Sequence, residues 1–187
     1  MSRIVDDAFD NNTAITSVEM PVSVKGIGRL AFYGCRSLAS ITGGAETLDF
    51  IGQSPFNQTP WLANLPAEDG LKYWKGWIID VSQSNEFDEL HIKEGTIGKI
   101  IDFGYLQGKT LYLPKSFCEF DKDEIIVEKF VVDKEHPKWY SDDYGAIYEK
   151  NCHVSYYSYN KNTYLYATGQ SLYLAPTGKS GGTLMVA

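Results

Sequence analysis

The sequence ITSVEMPVSVKGIGRLAF, residues 15–32, is followed one period later by the related sequence LASITGGAETLDFIGQSPF, residues 38–56. Two landmarks set the period: the pair Ala8-Phe9 recurs as Ala31-Phe32, and Gly28 recurs as Gly52. Both give a period of about 23 to 24 residues, inside the range of about 20 to 29 that is typical of leucine-rich-repeat solenoids. A solenoid usually acts through a broad outer surface rather than an enclosed catalytic pocket.

Further copies extend the repeat toward residue 130. The segment LYLPKSF, residues 111–117, aligns without a gap on VEMPVSV, residues 18–24, at an offset close to four periods. IKEGTI, residues 92–97, is a third copy, and FVVD, residues 130–133, begins another strand-like segment.

Each part of the repeat has a physical reason. The alternation in V-x-M and L-x-L predicts a short, half-buried strand, which proline then ends because it cannot donate to a ladder. The Ile-Gly steps at Gly28 and Gly52 predict tight turns in which glycine adopts a positive φ. The Ala-Phe pairs predict a column of rings inside the coil, with Phe32 stacked on both Phe9 and Phe56.

In these residues the chain resembles the BspA-type surface-antigen leucine-rich repeats of bacteria and protists. Their pattern is roughly L-x-x-I-x-I-P-x-S-V-x-x-I-G-x-x-A-F-x-G-C, and it is matched here over residues 21–24, 27–28, 31–35 and 37–41. The resemblance implies a β-rich, right-handed leucine-rich-repeat solenoid with short parallel strands and five or six coils.

Two segments resemble inserts found in that family. Thr59-Pro60-Trp61 followed by Asp69-Gly70-Leu71 predicts a β-hairpin insert at about residues 57–88, with its turn at Lys75-Gly76. Residues 136–148 resemble the family's N-P-x-Y-x-S-x-D-G-x-L-Y insert, with His136 in place of Asn and Tyr144 added. We expect a repeat domain over residues 1–155, with the second hairpin insert at 134–150.

The tyrosine-rich tail departs from the repeat. Residues 156–187 contain two strand-like alternations but no Ala-Phe or Ile-Gly pair, which predicts a degenerate last repeat or a C-terminal cap. At the other end, the first residues carry no apolar segment of a signal peptide and begin inside a repeat. We therefore expect either a fragment of a longer protein or a chain without a normal N-terminal cap.

Composition excludes several classes of protein. The 187 residues are 43% hydrophobic, enough for one substantial core. A net charge of −7 argues against nucleic acid or an anionic membrane as the main partner, because both favour a basic surface. No apolar run reaches the roughly 18 residues that a membrane-spanning helix needs, so membrane insertion is not expected.

Strand alternation divides the repeat positions into two sets. The inward set is predicted to form the core: Val18, Met20, Leu38, Ile41, Leu90, Ile92, Leu111, Leu113, Phe130 and Val132. The outward set is predicted to cross a concave sheet that binds a protein ligand: Ser17, Glu19, Ser40, Thr42, Glu89, His91, Thr110, Tyr112 and Lys129, with Val131 beside them. We expect Tyr112, His91 and Glu89 at its centre, because aromatic residues dominate interface energetics.

The tryptophans of the first insert allow two interpretations. Trp74 and Trp77 flank the predicted turn, and the more common outcome for such large rings is packing against the solenoid. If instead they are exposed, they are candidates for stacking on a glycan.

No catalytic or metal-binding constellation is visible. Cys35 is predicted to be a small buried thiol, Cys118 is predicted to be exposed, and Cys152 beside His153 lacks metal-ligand spacing. No cofactor or metal is expected, and we predict that the protein is not an enzyme. The resemblance implies a secreted or cell-surface adhesin that contacts a host protein or matrix; glycan binding and a structural spacer are the alternatives.

Overall fold

The computed structural model describes residues 2–81, 86–99, 106–118, 125–150 and 170–174. Within these ranges the chain is rich in strand and nearly devoid of helix, and its parallel stacked coils form a β-solenoid of about five turns. This confirms the fold class that the repeat predicts.

The chain divides into two compact units. The first contains β1 (Ser2–Ile4), β2 (Ser17–Met20), β3 (Val24–Ile27), β4 (Ser40–Gly43), β5 (Phe50–Ile51), α1 (Pro60–Asn64), β6 (Leu71–Trp74), β7 (Trp77–Val81) and β9 (Gly98–Lys99). The second contains β8 (Glu86–His91), β10 (Leu106–Leu113), β11 (Ile125–Val132), β12 (Trp139–Ser141), β13 (Ile147–Lys150) and β14 (Gln170–Leu174).

Parallel pairing in the first unit reproduces the period of the sequence. β3 lies between β1 and β5, and Ile27 aligns with Ile4 on one side and with Ile51 on the other. In the neighbouring ladder β2 pairs with β4, so that Ser17 aligns with Ser40. Equivalent residues of successive coils therefore lie side by side, as the repeat in the sequence requires.

The predicted ring column is present. The Phe32 ring stacks on Phe9 at a centroid distance of 5.1 Å and on Phe56 at 5.9 Å, with interplanar angles of 12° and 9°. Phe32 and Phe56 are buried, whereas Phe9 at the end of the column is 39% exposed. Cys35 is fully buried beside this column, and its thiol donates to the carbonyl of Phe9 at 3.0 Å.

Backbone hydrogen bonds join the same loops from coil to coil. The N–H of Phe9 donates to the carbonyl of Ala31, and the N–H of Phe32 donates to that of Pro55, both at 2.8 Å. Left-handed residues recur in register with this ladder. One set contains Asp7, Leu30 and Ser54, and the other contains Asn11, Gly34 and Gln58.

Gly28 and Gly52 do not have a positive φ, so the prediction that they adopt one in tight turns is wrong. What excludes a side chain is the close approach of the neighbouring coil. A Cβ on Gly28 would lie 2.4 Å from the backbone nitrogen of Asp6, and one on Gly52 would lie 2.3 Å from that of Arg29. Glycine lets the coils touch at this corner, and the left-handed turn falls two residues later.

The first insert begins with α1 rather than with a strand. Thr59 caps the helix by accepting from the N–H of Leu62 at 3.1 Å, and Pro60 occupies the first turn, where no N–H is needed. The predicted hairpin of β6 and β7 follows, with a two-residue turn in which Lys75 and Gly76 both have positive φ.

The second strand of this hairpin is also a strand of the ladder. β7 pairs in parallel with β9, with Trp77 aligned on Gly98. The two carbonyls of the turn accept hydrogen bonds from neighbouring segments. The N–H of Leu48 donates to the carbonyl of Lys75, and the N–H of Ile97 donates to that of Gly76. The hairpin thus continues the stack instead of projecting from it.

The second unit is organised around a parallel sheet in the order β11-β10-β8. Leu111 aligns with Leu90 on β8 and with Phe130 on β11, and all three are buried. The inward set predicted from the sequence is confirmed: eight of its ten residues are buried, and the other two, Val18 and Ile41, are half-buried against the core of the first unit.

The second predicted hairpin consists of β12 and β13, which pair antiparallel. It covers the free edge of β11, where the N–H of Phe130 donates to Gly145 at 3.1 Å and that of Val132 donates to the hydroxyl of Ser141 at 3.0 Å. Covering an edge in this way prevents unwanted strand pairing. β14, in the tyrosine-rich tail, adds to β13 in antiparallel fashion, so it is not a parallel coil; residues 151–169 and 175–187, with Cys152, lie outside the described residues.

Truncation of the Phe32 ring, at the centre of the column, should destabilise the protein strongly. We expect Phe32→Ala to lower the free energy of unfolding by about 3–5 kcal/mol, because the ring is buried between two others. Phe9→Ala is the matched control and should have a smaller effect, since its ring is partly exposed. Urea denaturation measures both, and equal losses would contradict the column as described.

Replacement by alanine should have different effects on stability at the two glycines that begin the second coil. Gly28→Ala should destabilise by about 1–3 kcal/mol or more, as overpacking does when the clashing atoms are backbone. Gly26→Ala should be tolerated, because its new Cβ would approach the flexible Arg3 side chain no closer than 3.4 Å. Similar thermal midpoints for the two variants would refute the close approach of the coils.

Candidate functional site

The outward residues predicted on the second unit form two rows across its parallel sheet. In the first row Thr110 on β10 aligns with Glu89 on β8 and with Lys129 on β11. In the second row Tyr112 aligns with His91 and with Val131. We call Glu89, His91, Thr110, Tyr112 and Lys129 the outward patch. Strand alternation, confirmed by the burial of the intervening Leu90 and Leu111, places them all on one face.

The rings of His91 and Tyr112 are stacked. Their centroids are 3.9 Å apart, and their planes differ by 7°. Neighbouring strands lie about 4.8 Å apart, so side chains in register are brought close enough for such contact. His91 is exposed and Tyr112 is half-buried, and the pair therefore forms a firm aromatic ridge that remains accessible at its edges.

Charges of opposite sign flank this ridge. Glu89 and Lys129 are exposed, and among the described residues neither forms an ion pair. They stand two strand spacings apart, about 10 Å, on either side of Thr110. The patch thus presents a carboxylate and an ammonium with Thr110 between them.

A nearby ion pair ties the same strands together. Lys109 Nζ lies 2.7 Å from Asp88 Oδ1. The hydrogen bond from Lys109 lowers the pKa of the Asp88 carboxyl and raises the pKa of the Lys109 amine. Both groups are fully exposed, so the pair contributes little to stability.

Phe87, at the start of β8, belongs to a packed row of this sheet. It aligns with Gly108 on β10, and Val127, which aligns with the same Gly108 from the other side, is buried. A Cβ on Gly108 would lie 2.5 Å from the Phe87 ring. Gly108 therefore makes room for the half-buried Phe87.

The remaining outward residues lie on the first unit, in the ladder of β2 and β4. Ser17 aligns with Ser40 and Glu19 with Thr42, and all four are exposed. They form a smaller polar surface without an aromatic residue.

The tryptophans of the first hairpin are occupied by packing. Trp77 is 2% exposed, and its indole N–H donates to the carbonyl of Leu48 at 2.9 Å. Trp74 is half-buried, and its ring makes edge contacts with Phe56 at 5.2 Å and with Trp61 at 5.1 Å. These contacts favour the packing interpretation over glycan stacking.

His136 has a structural role that its sequence context did not indicate. Its buried ring stacks on Trp139 at 5.0 Å, and Nε2 lies 2.6 Å from the carbonyl of Phe117. Nδ1 accepts from the N–H groups of Lys138 and Trp139 at 3.1 and 2.8 Å. Because Nδ1 is an acceptor, Nε2 carries the proton and donates it to Phe117.

The turn of the second hairpin is held by Asp142. Its Oδ1 accepts from the N–H groups of Tyr144 and Ala146, and its Oδ2 accepts from the hydroxyl of Tyr148 at 3.0 Å. Burial, reinforced by Asp142, raises the pKa of Tyr148 to about 12. Tyr140, whose ring stacks on Tyr148 at 5.2 Å, also has a raised pKa, chiefly through burial.

The thiols behave as predicted where the structure describes them. Cys35 is buried, which raises its pKa, and Cys118 is exposed. In the part of the chain that the structure describes, no cluster of three or more histidine, cysteine or acidic residues could hold a metal ion.

Comparison with known proteins identifies a repeat family and a related structure. The family model described as BspA type Leucine rich repeat region (6 copies) matches residues 2–104. No curated protein shows significant similarity to the chain. Among solved structures, the chain is similar to a leucine-rich repeat protein from Eubacterium ventriosum ATCC 27560, whose crystal structure was determined at 2.50 Å resolution, with 19% identity and a TM-score of 0.34. That alignment covers 80% of this chain and 34% of the other, so the chain spans about a third of that protein's length.

Two substitutions of His136 should destabilise the protein to different extents. His136→Ala should destabilise by about 1–3 kcal/mol for each buried group left without a partner. His136→Asn should lose less, because an Asn oxygen can accept from backbone N–H groups further along the turn. Urea denaturation of the two variants tests this, and an Asn variant no more stable than the Ala variant would count against the acceptor role of Nδ1.

Proposed function

The chain belongs to the BspA-type leucine-rich-repeat family, and from this premise we propose that it binds another protein through the outward patch. Leucine-rich repeats generally mediate protein interactions and generally act as non-enzymatic scaffolds. Members of this family are often surface proteins of bacteria. Fold-level analogy does not identify a site, so the proposal depends on the residues of the patch.

The stacked pair of His91 and Tyr112 is the observation that carries the proposal. Aromatic side chains are enriched at interface hot spots, where they bury a large area and lose little conformational entropy. Here the two rings support each other, so Tyr112 is already held in place before a partner arrives. Such preorganisation lowers the entropic cost of binding.

The two charges beside the rings supply orientation. A partner that sets a basic group against Glu89 and an acidic group against Lys129 would be favoured in one orientation and disfavoured in the reverse. Charge complementarity of this kind increases specificity and association rate more than affinity. Thr110, between them, can both donate and accept a hydrogen bond.

Location is part of the same proposal. We infer a secreted or cell-surface protein whose partner belongs to a host surface or extracellular matrix, since the family suggests surface association. Across the described residues, no helix has the length and apolar character needed to cross a bilayer.

Removal of the central side chains should abolish binding without unfolding the protein. The triple variant Glu89→Ala, His91→Ala, Tyr112→Ala should keep the circular dichroism spectrum and thermal midpoint close to wild type, because these side chains point away from the core. Its binding to immobilised matrix preparations or host cells, measured by surface plasmon resonance or cell adhesion, should fall at least about tenfold, as expected for loss of hot-spot residues.

A matched control uses two exposed acidic residues outside the patch, in the variant Glu46→Ala, Asp49→Ala, which should bind like wild type. A second variant, Ser17→Ala, Glu19→Ala, Thr42→Ala, tests the polar surface of β2 and β4 separately. Loss of binding in the second variant alone would move the site to the first unit. If wild-type protein binds none of the preparations, or the triple variant binds as well as wild type, the proposal fails and a spacer role becomes the better account.

A further inference from the structure

We propose that a groove on the first unit is a binding site for a neutral sugar of an oligosaccharide. The groove has a volume of about 380 Å³, within the range of about 300–1,000 Å³ typical of small-molecule sites. It is open to solvent, so a ligand in it could extend beyond it. The residues that give it its chemistry are Tyr33, Asn57, Gln58, Leu62, Ala63 and Asp80.

Tyr33 supplies a held aromatic ring with an available donor. Gln58 Nε2 donates to the Tyr33 hydroxyl oxygen at 2.5 Å, and Gln58 Oε1 accepts from Arg36 at 3.3 Å, which fixes the orientation of the amide. Because the hydroxyl oxygen of Tyr33 accepts from Gln58, its own hydrogen remains available for a ligand. The half-buried ring can pack against the C–H face of a sugar while the hydroxyl bonds to one of its oxygens.

Asn57 supplies an amide that can bind a ligand. Its backbone is fixed, because its carbonyl accepts from the N–H of Gly34 at 2.9 Å. Its half-buried side chain forms no hydrogen bond within the described residues. An amide offers a donor and an acceptor side by side, which matches adjacent hydroxyls of a sugar ring.

The charges in the groove favour a neutral ligand. Asp80 is the one charged residue among the described residues that line it, and its carboxylate is already satisfied: Oδ2 lies 3.1 Å from the buried Lys72 ammonium, and Oδ1 accepts from the N–H of Val81 at 2.9 Å. An acidic ligand would find no free cation among the described lining residues, because the nearby Lys72 ammonium is held by Asp80 and by the carbonyl of Leu62 at 2.9 Å. A basic ligand would have to compete with Lys72 for Asp80. Leu62 and Ala63 add apolar surface beside these polar groups.

These features together distinguish the groove from its surroundings. An aromatic ring, apolar wall atoms, the Asn57 amide and a neutralised carboxylate match the alternating C–H and O–H surface of a hexose. The site uses none of the residues of the outward patch. It also does not depend on Trp74 or Trp77, whose rings are engaged in packing.

The test is binding of the chain to a microarray of neutral oligosaccharides built from glucose, galactose, mannose and N-acetylhexosamines, with sialylated and sulfated oligosaccharides alongside. We expect wild-type protein to bind at least one neutral oligosaccharide. Isothermal titration with that oligosaccharide should then show about a three- to tenfold loss of affinity for Asn57→Ala and for Tyr33→Phe, the worth of one or two hydrogen bonds. Tyr33→Ala should lose more, because the ring is removed as well.

Controls separate this site from the others. The Glu89, His91, Tyr112 triple variant should bind the oligosaccharide like wild type, and Asn57→Ala should bind the protein partner like wild type, so failure of one proposal leaves the other intact. If Tyr33→Ala does not fold, Asn57→Ala and Tyr33→Phe decide the matter. Failure to bind any neutral oligosaccharide, binding confined to sialylated or sulfated ones, or affinities unchanged by Asn57→Ala and Tyr33→Phe would each overturn the proposal.

Discussion

Register between successive coils is the constraint on which the rest of the structure depends. The N–H groups of Phe9 and Phe32 donate to carbonyls of the next coil at 2.8 Å, while their rings stack in the same direction. The backbone ladder and the ring column therefore impose the same register between successive coils. A coil with one residue too many must bulge or lose both interactions. Such a shift occurs where Ser2 aligns with Val24 but Arg3 aligns with Gly26, which leaves Lys25 of β3 as the extra residue. The period of the sequence is the direct consequence, and so is the alignment of side chains on the outer surface.

That constraint explains what the sequence alone could predict. The ring column, the inward residues and the hairpin turn at Lys75 and Gly76 follow from local pattern and period. The alignment of Glu89 with Thr110 and of His91 with Tyr112 also follows, because a fixed register turns an offset in sequence into a neighbour in space. The predicted binding role of these residues remains a prediction.

Contacts between residues that are far apart in sequence could not be predicted from local pattern. The requirement for glycine at position 28 comes from the backbone of a neighbouring coil, and no local preference of the chain reveals that contact. Hydrogen bonds join the His136 ring to Phe117, Lys138 and Trp139, and the first of these is 19 residues away. Tyr33 and Asp80 are even further apart in sequence, so their groove could not be inferred from a motif.

The same architecture offers two kinds of surface. On a parallel sheet, neighbouring outward side chains are held about 4.8 Å apart, close enough for rings to stack, and the result is the outward patch proposed to bind another protein. Where α1 and the first hairpin interrupt the regular repeat, side chains from a coil loop, from α1 and from β7 line a groove. Concave sites of that kind suit small ligands, because they surround a ligand on several sides. Departure from the repeat thus creates the groove proposed for a sugar, whereas adherence to the repeat builds the patch proposed for a protein partner.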